Sequence, residues 1–164
     1  MRRKRILRIY LKRKIMATIK DYFSIKELVC PHVYDKFGLY AWNFFDPRLL
    51  ETLLVIREKT GKPIVVNNWT KGGQHTQRGL RCNICPIPKE KTSLEKLYMT
   101  AHCQGMAVDF NVVGMSVEET HKWLKDNQIL LPHPIRLESL ESAPTWMHLD
   151  VRSDGFRQIT YFNA

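Results

Sequence analysis

The feature that most constrains this chain is a bracketed helix followed at once by a strand. Asp46 is a good N-cap, Pro47 suits the first helical turn, and Gly61 suits the position just past the end. Between them Leu49, Leu50, Leu53, Leu54 and Ile56 make one apolar face. Pro63 then opens Ile64-Val65-Val66, a β-branched run that reads as a buried strand. Ser24 and Glu27 have capping-box spacing for a short helix, and Ser116 and Glu119 repeat that spacing to open a helix through about Asn127. Residues 67–93 are rich in Gly, Pro and polar groups and read as one long loop. The other strand signals fall late, at 107–112, 134–138, 146–151 and 156–162. Helices first and antiparallel strands late predict the α+β class.

At 164 residues the chain is sized for one domain, and 44% apolar residues supply a core. No apolar run approaches the ~18–20 residues of a membrane span. The net charge of +10 is concentrated at the start. Residues 1–14 hold eight Lys or Arg and no acid, which leaves 18 basic against 16 acidic groups in the rest. A near-neutral globular part does not read as a basic nucleic-acid-binding domain. The expected organisation is a disordered basic tail over 1–15 and a single domain over 16–164, with Met16 as an alternative start. The sharper readings of the tail are a basic amphipathic helix on an anionic membrane or an arm on nucleic acid. Arg8 interrupts the apolar residues of the tail, so it does not read as a secretory signal. The chain is therefore expected to be made in the cytoplasm, as a monomer without stable membrane insertion or nucleic-acid partner.

Metal-ligand residue types occur in segments able to converge. His102 precedes Gly105 in a turn, and Ala107-Val108-Asp109-Phe110-Asn111-Val112 follows as an alternating strand. Period-two alternation puts Ala107, Asp109 and Asn111 on one face and Val108, Phe110 and Val112 on the other. In Trp146-Met147-His148-Leu149-Asp150, His148 and Asp150 share a face opposite Met147 and Leu149. Two imidazoles and one carboxylate with an open fourth position suit a catalytic zinc, and a nearby carboxylate would activate its water. The plainer reading of each residue is a hydrogen-bonded structural group.

Thr100, His102, Gly105, Ala107 and Asp109 together resemble the S/T-x-H-x-x-G-x-A-x-D motif of the D-alanyl-D-alanine carboxypeptidase family of zinc peptidases. That family includes peptidoglycan endopeptidases, among them phage endolysins. Trp146-Met147-His148 is similar to its closing W-x-H segment, and the resemblance covers roughly residues 20–155. It implies that His102, Asp109 and His148 bind Zn2+. It implies a hedgehog-like fold, with a small antiparallel sheet and helices packed on one face. It also implies a hydrolase cutting peptide bonds in peptidoglycan stem peptides, acting on the cell wall once exported or released.

The chain departs from the pattern in two places. Many members carry a catalytic Glu three residues before the last ligand, where this chain has Thr145. Glu138 and Glu141 are equal candidates for that base, and Asp150 suits a supporting partner of His148. Members also carry an S-G-Y-R segment whose Arg holds the substrate carboxylate. Here Asn67-Asn68-Trp69 stands in that region, and Arg78, Arg81 and Thr100 are the candidates for binding substrate. The alternative function is a non-catalytic binding or phage structural module that keeps its zinc, as hedgehog signalling domains do. Cys82-Asn83-Ile84-Cys85 has the spacing of half a structural zinc site, and Cys30-Pro31-His32 could supply the other half. The expectation for the four cysteines is nevertheless plain reduced thiols. Cys103 is expected to point away from the metal motif, and His75, His121 and His133 to be surface or capping residues.

Overall fold

The computed structural model describes residues 17–95, 97–153 and 155–163. The basic segment expected over residues 1–15 lies outside them. The described part is α+β, with a five-stranded mixed sheet and several helices. Helices α1 (Ile25–Leu28), α2 (Pro31–Phe37) and α3 (Pro47–Thr60) come first. Strand β1 (Ile64–Val65), helix α4 (Pro86–Ser93) and strand β2 (Ala107–Val112) follow. Helix α5 (Val117–Asp126) then leads into β3 (Ile135–Glu138), β4 (Met147–Asp150) and β5 (Ile159–Phe162).

The local signals act as physical chemistry predicts. The Asp46 carboxylate accepts a hydrogen bond from the Arg48 amide and caps α3, while Gly61 ends it at φ +65°. Leu49, Thr52, Leu53 and Ile56 recur at helical spacing and are buried. Each fully buried Leu or Ile contributes about 1.5–3 kcal/mol by leaving water. Capping boxes start both α1 and α5. Residues 67–93 are not one loop, because Pro86 fits the first turn of α4 with Cys85 as its N-cap.

The sheet order is β1-β2-β4-β3-β5. Every pairing is antiparallel except β3 with β5, which is parallel. The expected all-antiparallel sheet is thus corrected to a mixed one. The chain reverses after β4, but β2 and β3 already occupy both edges of β4. β5 therefore takes the outer edge of β3, where its reversed direction runs parallel. Val108, Phe110, Leu137, Met147 and Leu149 form the centre of the core, and α5 packs against β2 and β4. That packing buries His121, expected at the surface, which stacks on Tyr161 with its Nε2 unpartnered among the described residues. No helix of the described residues is long and apolar enough to cross a membrane.

Candidate functional site: a His-Asp-His centre beside a pocket

Sheet register builds the centre. Asp109 on β2 is paired directly with His148 on β4. Partners in register point to the same face, so the carboxylate and the imidazole meet. His102 enters from the turn before β2, which closes through a 2.8 Å hydrogen bond from the Met106 amide to the Ala101 carbonyl. Gly105 makes this turn possible. It sits at φ +67°, and a Cβ there would lie 2.0 Å from the Phe44 carbonyl oxygen.

The donor atoms are close. His102 Nε2 lies 3.3 Å from His148 Nδ1 and 3.3 Å from Asp109 Oδ1, and His148 Nδ1 lies 2.7 Å from Asp109 Oδ1. Donors held tetrahedrally at bonds of ~2.0–2.2 Å stand about 3.3–3.6 Å apart. The two His102 distances match, and the third is a hydrogen-bond length that a small shift would open. His102 is also oriented for ligation. Its Nδ1 lies 2.9 Å from the Gly79 carbonyl, which can only accept. Nδ1 therefore carries the hydrogen, and Nε2 presents its lone pair to the centre.

Electrostatics favour a cation here. Burial works to raise the Asp109 pKa, but the His102 and His148 imidazoles beside it, with His148 hydrogen-bonded to it, outweigh burial and hold the carboxyl well below its usual range. Burial works against charge on His148 too, but Asp109 and Asp150 outweigh it and push its pKa up to about 9. Burial lowers the pKa of His102 and keeps it neutral. His148 thus lies between two carboxylates that favour positive charge on it, and each of them is also paired with a guanidinium, Arg81 on Asp109 and Arg136 on Asp150. Asp150 is fully buried 3.6 Å from His148 Nε2, and Arg136 grips it at 3.0 and 2.7 Å. Arg136 and Asp150 are themselves register partners across β3 and β4.

The other candidates separate. Glu138, at the end of β3, is 8% exposed. Burial raises its pKa, and its carboxyl feels the charges of His148 and Asp109. Glu141 is exposed on the turn after β3. Arg81 donates to Asp109 Oδ2 at 2.8 Å and to the Gln77 carbonyl, so its guanidinium is occupied with the centre itself. Arg78 Nη1 is held 2.6 Å from Asn111 Oδ1. Both arginines line a cavity of ≈ 260 Å³ with Gln77, Asp109 and Trp146. The Thr100 hydroxyl reaches Cys103 Sγ at 3.5 Å inside the His102 turn, and Cys103 is outside the group of converging donors. The Thr145 carbonyl accepts from Asn111 at 2.9 Å. Sequence reasoning missed the Gly79 carbonyl, which carries no side-chain signal. Asn111 and Arg136 were visible in principle, through the alternation that puts Asn111 beside Asp109 and through the pairing of Arg136 with Asp150.

A second group assembles elsewhere. Cys30, His32, Cys82 and Cys85 bring their donor atoms within 4.8 Å of one another and could hold a metal ion, as could His102, Asp109 and His148. The cysteines are unbonded to one another. The expectation of plain reduced thiols was therefore incomplete, because three of them converge on a histidine. Compared with protein families, with curated proteins and with solved structures, the chain shows no match in any of the three.

Proposed function

We propose that the chain is a zinc-dependent peptidase of hedgehog-like fold, similar to the D-alanyl-D-alanine carboxypeptidases and their endopeptidase relatives. Its substrates are the stem peptides of peptidoglycan. The observation that carries this reading is the convergence of His102, Asp109 and His148 at ligand spacing beside the pocket lined by Arg78. Those three residues would hold the zinc, which supplies Lewis acidity toward the scissile carbonyl.

The chain's own groups do the rest. The Gly79 carbonyl holds His102 in the ligating tautomer. Arg81 neutralises and fixes the outer oxygen of Asp109. Arg136 and Asp150 stiffen the ground behind His148. Glu138 takes the proton from the attacking water and later hands it to the leaving amine, a task suited to a carboxyl whose pKa burial raises. Arg78, on the pocket wall with Nη1 donating to Asn111, would receive a substrate carboxylate through its remaining N–H groups.

A second reading rests on Thr145, which stands where the resemblance expects a catalytic glutamate. In it the zinc is retained and the chain only binds cell-wall peptide. Digestion of purified peptidoglycan, with mass analysis of released fragments with and without a chelator, decides between them. Fragments that vanish on chelation support the peptidase. Binding without cleavage by the zinc-loaded chain supports the binding module.

A further inference from the structure

The Cys30, His32, Cys82 and Cys85 group has no place in the chemistry above, yet its geometry is more regular than that of the His-Asp-His centre. Cys82 Sγ lies 3.8 Å from Cys30 Sγ and 3.7 Å from Cys85 Sγ. His32 Nδ1 lies 3.6 Å from both Cys82 Sγ and Cys85 Sγ. A tetrahedral zinc with bonds of ~2.3 Å to sulfur and ~2.0–2.1 Å to nitrogen holds its sulfurs about 3.8 Å apart and each sulfur about 3.6 Å from the nitrogen. All four measured separations match. They do not match disulfides, whose sulfurs lie ~2.0 Å apart.

Local structure aims the ligands. Cys30 and Cys85 are both N-cap residues in extended backbone, each followed by a proline that starts a helix. His32 lies in the first turn of α2, and a 3.1 Å bond from the Cys85 amide to the Cys82 carbonyl closes the turn that joins the Cys-x-x-Cys pair. Cys30 and Cys85 are buried, Cys82 is half-buried and His32 is exposed, so the cluster lies near the surface with its cysteine side covered.

We infer that Cys30, His32, Cys82 and Cys85 form a structural zinc site that clamps the segment supporting the His-Asp-His centre. Four protein ligands leave no open position, which marks a structural rather than a catalytic ion. Three thiolates and one imidazole in tetrahedral array select zinc among the common divalent metals.

The clamped segment is residues 78–81. Cys30 and Cys82 are 52 residues apart in sequence, and closing so long a loop costs entropy that a metal clip offsets. Just inside the clip, Leu80 bridges Val29 in parallel, its amide donating to the Leu28 carbonyl at 2.8 Å and its carbonyl accepting from the Cys30 amide at 3.0 Å. Gly79 packs so close to Leu28 that a Cβ would lie 1.9 Å from the Leu28 carbonyl oxygen. On its other side the same segment holds the centre. The Gly79 carbonyl orients His102, the Arg78 carbonyl accepts from the Asp109 amide at 2.6 Å, and Arg81 pairs with Asp109. A zinc tying Cys30 to Cys82 therefore acts as a positioning element for the centre without touching it.

The test uses the full chain purified with its thiols kept reduced. Metal analysis is expected to find about two zinc ions per chain, one for each donor set. Replacement by Co2+ is expected to give an intense thiolate-to-cobalt charge-transfer band, which a His-Asp-His site cannot produce. His148→Ala should keep that band. Cys82→Ser should lose it and speed amide hydrogen exchange over residues 78–81 by at least ~10-fold, as a local support is removed. If Cys82→Ser does not fold, the cobalt spectra of the unmodified chain and of His148→Ala still decide. A wild-type cobalt derivative without the sulfur band overturns the site. Iron in place of zinc does the same. Unchanged exchange at 78–81 in a folded Cys82→Ser chain overturns the clamping role. Failure of the peptidase reading would leave the sulfur band untouched, so the two proposals stand or fall separately.

Discussion

Asp109 and His148 face each other in register across β2 and β4, with Oδ1 and Nδ1 2.7 Å apart. One ladder thus places two of the three donors of the centre, and the Gly105 turn delivers the third.

His148→Ala should lose the metal of this centre and the activity together. His102 and Asp109 alone leave two donors, too few for a tight zinc site. Equilibrium dialysis against Zn2+ alongside a stem-peptide assay checks this. Retention of full zinc content would remove His148 from the ligand set.

Glu138→Gln should lower turnover by about 10²–10⁴-fold, the usual share of general acid–base catalysis, with zinc content unchanged. Glu141→Gln should stay near wild type, because Glu141 is exposed on a turn. The pH profile adds a sign. The Glu138 pKa is raised by burial, and only the carboxylate can take a proton. Activity should therefore fall on acidification as Glu138 takes up a proton. An acid limb that survives in Glu138→Gln would assign the base elsewhere, with Asp150 the next residue to change.

Gly105→Ala should destabilise the fold by more than about 1–3 kcal/mol, the usual cost of forcing an extra carbon into a packed site. The added Cβ would meet the Phe44 carbonyl at 2.0 Å, and the backbone there is left-handed. Since Gly105 ends the His102 turn, zinc affinity should fall as well. Chemical denaturation and zinc titration of the same variant measure both.

Arg136→Met should cost about 3 kcal/mol, because it strips a fully buried Asp150 of its two-pronged partner. The double variant Arg136→Met with Asp150→Asn should recover part of that loss. No recovery would show that Arg136 stabilises through packing on Phe162, whose ring centroid lies 4.6 Å from the guanidinium, rather than through charge.

Local signals were legible where they act over a few residues. The Asp46 and Ser116 caps, the Gly61 stop and the alternation in 107–112 depend on neighbours in sequence, and each element formed where those signals lie. The residue types of the His-Asp-His centre were legible for the same reason, since alternation puts Asp109 and His148 on the polar faces of their strands. Helix α4 was obscured because Gly, Cys and Pro dominate the composition around it, although Pro86 is itself a start signal.

Tertiary structure decided what depends on distant partners. The parallel place of β5 follows from β4 having both edges filled, which no segment of β5 encodes. Glu138 and Glu141 are three residues apart and chemically alike, and only the end of β3 separates the buried one from the exposed one. Arg81 looked free for substrate until the fold laid it against Asp109. Cys30 and His32 stand some 50 residues from Cys82 and Cys85. Spacing could name the two halves of that cluster, but tertiary contacts such as the Val29–Leu80 bridge bring them together. Chain entropy is the reason: contacts that close long loops are selected by the whole packed core rather than by any local preference.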